Sequence, residues 1–340
     1  MTTPRIVVIG GSAGGVEPLL AITRTLPEDF PAPVCVVVHI PPHAESLLPS
    51  LISRGKRMPA TAGRDGEPVQ PGHIYVAPPD SHMLVRHGRI RLSKGPSENG
   101  LRPAIDPLFR SVADGYGPGA IGLVLSGSLD DGTAGLHAIK AAGGTAIVQE
   151  PEEALYPSMP RSALDNVAID HVASYSDIAG LLSRLIEHPI AAWPADSEER
   201  QEIAMETDVA ENGEDQDPTA AALGSSSGFA CPDCHGVLWE IKDGELMRFR
   251  CRVGHAYLPE SLAAAQSARL EEALWVAMRS LRESAALARR LSERAKARGI
   301  HTMIDVYRRR AEEANERASL IEGVLKKGTL AADSEQASRA

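Results

Sequence analysis

The chain alternates short, continuous apolar runs with longer stretches in which apolar residues recur every three or four positions. Residues 6–9, 34–38, 120–125 and 145–149 are rich in β-branched residues and too short for helices. Runs of this kind, without polar alternation, read as strands buried on both faces of a sheet. Residues 16–26, 47–52, 108–113 and 133–142 carry helical spacing between them. From 66 to 92 the pattern shifts, with 73–77 reading as another core strand and 83–85 and 89–92 as a hairpin around His87-Gly88. A loop through Tyr156 and Pro160, a further helix and a strand at 169–172 continue the alternation. This order predicts an α/β fold over residues 1–188: a doubly wound, mostly parallel, Rossmann-like sheet carrying a β-hairpin.

Beyond residue 189 the pattern breaks. Residues 196–217 are dominated by Asp and Glu and lead into Gly224-Ser-Ser-Ser-Gly228. Such a segment buries too little surface to offset its ordering entropy, so 189–228 is predicted to be a disordered acidic linker. Residues 229–258 read as a small ribbon with strands at 237–240 and 247–250. Residues 259–328 then place Leu262, Leu270, Leu274, Met278, Leu281, Ala285 and Leu291 on one helical face, and Val306, Ala314, Ala318, Ile321 and Leu325 on a second, with a break at Gly299. A helical hairpin is the simplest solution, followed by a disordered tail over 329–340.

A length of 340 residues leaves room for about two domains. The formal net charge of −10 argues against a protein that grips nucleic acid. No apolar run is long enough for membrane insertion, and the N-terminus leads straight into a strand, so a cytoplasmic protein is expected. Three of the four cysteines lie within 231–251, a clustering that favours metal over disulfides in a reducing compartment.

The candidate chemistry lies at the ends of the buried strands. The run at 6–9 stops at Gly10-Gly-Ser12-Ala13-Gly14-Gly15, and a helix follows. Strand, glycine turn and helix around G-x-S-x-G is the pattern of a nucleophile elbow, in which glycines are expected because the turn strains the backbone and side chains would cover the hydroxyl. A dinucleotide loop is the competing reading. Its fingerprint needs glycine where Ser12 stands and an acid at the end of the next strand, where this chain has His39. A histidine takes a proton from a serine instead. Asp131 follows a third strand, immediately before Gly132. Ligands of open α/β sheets bind outside the carboxyl ends of the strands, so Ser12, His39 and Asp131 are expected on one edge. They fit the roles of nucleophile, base and orienting acid, with the Ala13 backbone N–H as an oxyanion donor. The order Ser, His, Asp differs from that of the α/β-hydrolases. His43, His73 and His87 read as loop or strand-end residues, Cys35 as a core hydrophobe, and Asp106 as a brace for the helix that follows.

Ile9-Gly-Gly-Ser-Ala-Gly-Gly15, Val38-His-Ile-Pro41, Ile74-Tyr-Val-Ala-Pro78 with His82, Arg102-Pro-Ala-Ile-Asp106, Leu125-Ser-Gly-Ser-Leu-Asp-Asp-Gly132 and Met159-Pro160 together resemble the catalytic domain of the CheB-type chemotaxis methylesterases, over about residues 4–187. The resemblance implies hydrolysis of glutamate γ-methyl esters on the cytoplasmic domains of methyl-accepting chemotaxis receptors, with glutamine deamidation as a second activity and no catalytic cofactor. By motif position Ser12 is the nucleophile, His39 the base and Asp131 the acid, alignment on Gly132 selecting Asp131 over Asp130. His82 and Arg102 fall near the cleft, in either a structural or a substrate-contacting role. The family's usual Thr-Gly-Met-Gly-x-Asp-Gly is here 126–132, without the methionine and second glycine. Such proteins typically carry an N-terminal receiver domain, whereas this chain begins at the catalytic turn. Regulation is therefore expected from a separate receiver protein or through the C-terminal module. Two other functions stay open: a signalling adaptor on an esterase fold, and a general small-molecule carboxylesterase.

In the ribbon, Cys231-x-x-Cys234 and Cys251-x-x-x-His255 supply a Cys3His set suited to structural zinc, with no position left for water. A metal-free ribbon with reduced thiols is the alternative. The ribbon also resembles an extension carried by some stand-alone methylesterases of the same family.

Overall fold

The computed structural model describes residues 4–43, 46–55, 57–190, 198–212, 224–243 and 246–338. The first half of the sheet domain contains β1 (Ile6–Gly11), α1 (Val16–Thr25), β2 (Val34–Val38), α2 (Leu48–Ser53), β3 (Ala60–Ala62) and β4 (Ile74–Val76). A hairpin follows, β5 (His82–Arg86) and β6 (Arg89–Ser93). The second half contains α3 (Ile105–Tyr116), β7 (Ala120–Val124), α4 (Thr133–Ala141), β8 (Thr145–Gln149), α5 (Ser158–Asn166), β9 (His171–Ala173) and α6 (Tyr175–Glu187). The seven-stranded sheet has the order β3-β4-β2-β1-β7-β8-β9 and is parallel throughout. The chain leaves β1 towards β2 on one side and later returns to β7 on the other, so the switch point of the topology lies between β1 and β7.

Every residue of β1, β2 and β7 is buried, as their unbroken apolar runs require. Alternate side chains feed two cores. Ile6, Val8, Val37 and Val124 pack with Phe109 of α3, Leu136 of α4 and Met159 of α5. Val7, Ile9, Val36 and Leu123 pack with Leu19 and Ile22 of α1 and Ile178 and Leu182 of α6. Full burial of each such side chain stabilises the fold by about 1.5–3 kcal/mol, which fixes the register of the three central strands and so the ends they present. The unforeseen β3 is an edge strand of small residues in which only Ala60 is buried, so backbone pairing with β4 carries it and no apolar run announces it.

The expected disordered linker is corrected at both described segments. Residues 198–212 form a helix, α7 (Glu198–Asn212), that buries Ile203, Val209 and Ala210. Three of its acidic residues, Glu206, Asp208 and Glu211, meet arginines. Asp208 and Glu211 pair with Arg86, and Glu206 takes a bidentate pair of 2.6 Å hydrogen bonds from Arg248. Arg110 Nε and Arg250 Nη2 each lie 3.5 Å from the same Glu206 carboxylate. Burial alone would raise this carboxyl, but Arg248, Arg250 and Arg110 outweigh it and hold Glu206 well below the usual range. The linker expectation for 191–197 and 213–223 lies outside the described residues. At its far end, the serine-rich stretch is a strand, β10 (Ser225–Ala230), whose pairing is backbone-borne and leaves nearly all of its side chains exposed.

β10 opens a second, antiparallel sheet with β11 (Val237–Asp243), β12 (Leu246–Cys251) and β13 (Ala256–Tyr257), in that order. This ribbon belongs to the same compact unit as the sheet domain, a unit that runs through Leu262. Leu246 and Leu258 bury against Ala134, and Glu98 pairs with Ala256 by a parallel bridge.

Residues 263–340 form a second unit of two long helices, α8 (Pro259–Ala297), which begins in the first unit, and α9 (His301–Ser338). Contacts of Ser292 with Ile304 and of Arg282 with Glu322 make the pair antiparallel, as the spacing predicted. The buried seam is narrower than the predicted stripe. It is made of Met278, Leu325 and small residues such as Ala285, Ala314 and Ala318, while Leu270 and Val306 are exposed. α9 continues through Ser338, so the disordered tail expected from 329 is helical to that point, and 339–340 lie outside the described residues. No helix among the described residues is long and apolar enough to cross a membrane.

Candidate functional site

Ser12 directly follows β1 at the switch point. Its N–H donates to Ser126 O at 3.0 Å, extending the β1–β7 pairing by one residue, and Gly15 N–H donates to Ser12 O at 3.0 Å, closing a turn. The expected strain falls elsewhere than at a nucleophile elbow's serine: Ser12 is outside the left-handed region, and the positive φ of 72° belongs to Gly14. Gly14 is the third residue of the turn, where a type II geometry needs such a φ. A Cβ there would also lie 2.7 Å from Ser126 Oγ and 2.8 Å from Leu155 Cβ. The turn leaves Ser12 half-buried and Ala13 exposed, and the Ala13 N–H has no acceptor among the described residues. It is thus free to donate to a ligand.

The loop after β7 braces this turn through residues that sequence reasoning passed over. Ser126 is fully buried; its N–H donates to Gln149 Oε1 at 2.9 Å, and its Oγ donates to Ala13 O at 2.8 Å while accepting from Tyr156 N at 3.0 Å. Gly127 lies against the serine itself. A Cβ on it would stand 2.8 Å from Ser12 Cβ and 1.9 Å from Met159 Sδ. Gly127→Ala is therefore expected to displace Ser12 and to lower turnover on the order of a hundredfold, the cost of an ångström-scale misplacement. Steady-state kinetics beside a thermal melt would check that the loss exceeds any fall in stability.

His39 follows β2. The register Gly11↔Val38 and the His39 N–H to Gly11 O bond at 3.2 Å make Ser12 and His39 neighbours on adjacent strands, about 4.8 Å apart in the pairing direction. His39 Nε2 lies 2.7 Å from Asp131 Oδ2. Asp131 is buried, and that oxygen also accepts from Ile105 N at 2.7 Å, while Oδ1 accepts from Asn99 Nδ2 at 3.0 Å and Asp106 N at 3.3 Å. Burial opposes its ionisation, but the bond and charge of His39, with the Ile105 and Asn99 donors, hold the carboxyl down to about 2. The adjacent Asp106 goes the other way, raised by burial and by the charge of Asp131. The negative charge of this carboxyl pair is thus concentrated on Asp131, facing His39. An ionised Asp131 accepts the Nε2–H and leaves the Nδ1 lone pair for a second partner. Ser12 Oγ makes no hydrogen bond to His39 in this structure.

The other singled-out residues resolve into structural roles. Asp106 Oδ1 accepts from Gly132 N at 3.0 Å and Gly135 N at 2.7 Å, so it braces the start of α4 from α3. Asp130 turns away from the site and accepts from Glu260 N at 3.0 Å and Ser261 N at 3.1 Å, capping α8. Buried His82 accepts from Ala104 N through Nδ1 and donates from Nε2 to Pro96 O at 2.9 Å; burial lowers its pKa and keeps it neutral. Arg102 is spent on Asp80 at 2.7 Å and on the carbonyls of Lys94 and Gly95. Cys35 lies in the core, where burial pushes its thiol up to about 12. His43 and His87 are exposed, and His73 bonds Thr61. Leu129, where the family pattern has glycine, keeps a left-handed φ of 64°. That conformation costs a non-glycine residue about 1–2 kcal/mol, against about 0.4–1 kcal/mol of extra chain entropy for glycine, so Leu129→Gly is expected to raise stability by roughly 0.5–1 kcal/mol in urea unfolding.

In the ribbon, Cys231, Cys234, Cys251 and His255 bring their ligand atoms within 4.8 Å of one another. His255 Nδ1 lies 3.7 Å from Cys231 Sγ and 3.4 Å from Cys251 Sγ, and Cys234 Sγ lies 3.6 Å from Cys251 Sγ. Donors about 2.3 Å (sulfur) and about 2.0–2.1 Å (nitrogen) from one tetrahedral ion have edges of this size. The four form a candidate metal centre.

The fold and the site together define an open, parallel α/β protein with a serine, a histidine and an aspartate gathered at the strand ends beside its switch point. The CheB methylesterase family pattern matches residues 7–182, just over half of the chain, and the chain belongs to that family. A protein-glutamate methylesterase/protein-glutamine glutaminase of Anaeromyxobacter dehalogenans is 37% identical over 180 residues, 53% of each chain. One from Myxococcus xanthus is 34% identical over 183 residues, 54% of this chain and 52% of the relative. The chain thus spans about half the length of these two, whereas it covers 93% of a shorter protein of Leptospira interrogans, putatively so named there, at 36% identity. The crystal structure of the Thermotoga maritima CheB methylesterase catalytic domain superposes with a TM-score of 0.52 at 34% identity, covering 54% of this chain and all of that one.

Proposed function

We propose that this chain is a protein-glutamate methylesterase acting on the cytoplasmic domains of methyl-accepting chemotaxis receptors, with Ser12, His39 and Asp131 as its catalytic residues. The observation that carries the reading is the 2.7 Å His39–Asp131 bond, one strand from Ser12. Ser12 Oγ attacks the γ-ester carbonyl carbon while His39 Nδ1 takes its proton. The tetrahedral oxyanion meets the Ala13 N–H, a donor whose counterparts elsewhere contribute about 2.7–4 kcal/mol. Collapse breaks the bond to the methoxy oxygen, which leaves as methanol with the proton from His39. Water then attacks the acyl-serine, His39 takes its proton and returns it to Ser12 Oγ, and the receptor glutamate is released as a carboxylate. The same sequence on a glutamine amide releases ammonia.

The chemistry calls on no catalytic cofactor. Zinc at the Cys231–Cys234–Cys251–His255 centre is structural in this reading, supported by the donor spacing and by the carboxylate of Asp233, 3.9 Å from His255 Nε2, the ring nitrogen left over for an outer partner. In this reading the chain works in the cytoplasm. Methanol release from a methylated receptor fragment, measured beside hydrolysis of a short aryl ester, tests the function. Receptor turnover is the expected result. Aryl-ester turnover alone would make the protein a general carboxylesterase, and no turnover of either would make it an adaptor.

A further inference from the structure

The candidate metal centre and the candidate catalytic aspartate are joined by one short run of hydrogen bonds. Asp233, beside His255, accepts on Oδ2 from Ser97 Oγ at 2.6 Å and from Tyr257 OH at 2.8 Å. The Ser97 segment lies along β13: Ala256 N–H donates to Ser97 O at 3.4 Å, and Asn99 N–H donates to Ala256 O at 2.7 Å. Leu258 N–H then donates to the Asn99 side-chain Oδ1 at 2.9 Å. From the other end of the same carboxamide, Nδ2 donates to Asp131 Oδ1 and Asp106 Oδ2, both at 3.0 Å.

This contact decides which way Asn99 points. A carboxamide turned over would set its oxygen against two carboxyl groups and its NH2 against the Leu258 N–H, opposing like partners at both ends. The ribbon's backbone donor therefore selects the orientation that donates to the Asp131 carboxylate. Asn99 is buried and holds a left-handed φ of 54° beside Gly100 in a two-residue turn closed by Glu98 and Leu101, a conformation asparagine adopts readily, so the turn and these contacts together fix the carboxamide. The backbone that supplies Ala256 O and Leu258 N continues directly from His255, and Cys251 N–H donates to His255 O at 3.0 Å. A metal that fixes Cys251 and His255 fixes the start of that segment.

We propose that Asn99 is a positioning residue for the Asp131–His39 pair, and that zinc bound by Cys231, Cys234, Cys251 and His255 holds the ribbon segment that orients it. The ribbon thereby sets esterase competence from outside the sheet domain. The consequence for turnover rests on the esterase reading, whereas the consequence for the His39–Asp131 bond does not, and the two are measured separately.

The full chain, labelled with 15N-histidine, is compared as the zinc-loaded wild type, as the same protein after chelation under reducing conditions, and as Asn99→Gly, which accepts the left-handed φ without the carboxamide. The low-field proton resonance of His39 Nε2–H, assigned by its loss in His39→Gln, reports the bond to Asp131. One zinc per wild-type chain by elemental analysis is expected. Both chelation and Asn99→Gly should shift or broaden the His39 resonance, and both should lower kcat by about tenfold to a hundredfold with KM within about twofold, as for a misplaced but intact catalytic group. Asn99→Gly should keep its zinc. Thiol titration separates ribbon loosening from unfolding: three cysteines should become reactive after chelation, and the buried Cys35 should not. Reactivity of Cys35 would itself overturn the proposal, since the metal would then support the whole unit. So would absence of bound zinc, or an unchanged His39 resonance in either sample. A resonance that responds in a protein that never turns over methylated receptor would sustain the positioning role and reject the esterase reading alone.

Discussion

Ser12→Ala is expected to abolish methanol release from methylated receptor while leaving the fold intact. Removal of the nucleophile in a serine hydrolase that works through an acyl-enzyme costs on the order of a millionfold in kcat, because the base and its orienting acid are idle without it. The structural cost should be small. The serine's backbone bonds to Ser126 and from Gly15 do not involve its hydroxyl, and the side chain is only half-buried. Circular dichroism and thermal melting should therefore match the wild type, with receptor binding retained. A variant that keeps even a tenth of the turnover would remove Ser12 from the mechanism.

Asp131→Asn is expected to be the second most damaging change, lowering kcat on the order of ten-thousandfold. Both carboxylate oxygens already accept from donors, Ile105 N and His39 Nε2 on one side and Asn99 Nδ2 and Asp106 N on the other. An amide NH2 opposes donors whichever way it turns. If it faces His39, the imidazole must move its proton to Nδ1, the atom needed to receive the proton of Ser12. The same substitution should lower stability by about 1–3 kcal/mol, through buried donors left without an acceptor. It should also change the acid limb of stability. With its folded-state pKa held down to about 2, Asp131 contributes stability that is present above the unfolded value near 4 and is lost as the pH falls through 2. Acid unfolding of Asp131→Asn should be correspondingly less steep in that window.

The parts legible in the sequence are those where local pattern and burial agree. The apolar runs of β1, β2 and β7 marked strands buried on both faces, and the polar residues beyond them marked the sheet edge where Ser12, His39 and Asp131 gather. Alignment of the resembled family motif on Gly132 selected Asp131 over Asp130, and the structure places the two neighbours differently, one against His39 and the other at the start of α8. The bracing residues were not legible. Asn99 sits in a loop with a left-handed φ, and nothing in the spacing of its neighbours says that its carboxamide reaches Asp131, 32 residues on. Ser126 looked like part of a loop, although a buried hydroxyl at a strand end is a signal that a turn is being held. α7 was misread because acidic composition was taken to mean water contact. Glu206, Asp208 and Glu211 instead answer Arg86, Arg110, Arg248 and Arg250, the last two contributed from β12. Charge complementarity between segments far apart in the chain is invisible to a window moving along it.

The central claim is that Ser12 carries the acyl group of a receptor glutamate. The most direct measurement is rapid acid quenching of the wild-type protein during turnover of methylated receptor, followed by proteolysis and mass spectrometry of the peptide that contains Ser12. The account predicts a covalent receptor-derived acyl adduct on Ser12, accumulating with methanol and absent from Ser12→Ala. Methanol release with Ser12 unmodified at every quench time, undiminished in Ser12→Ala, would contradict it.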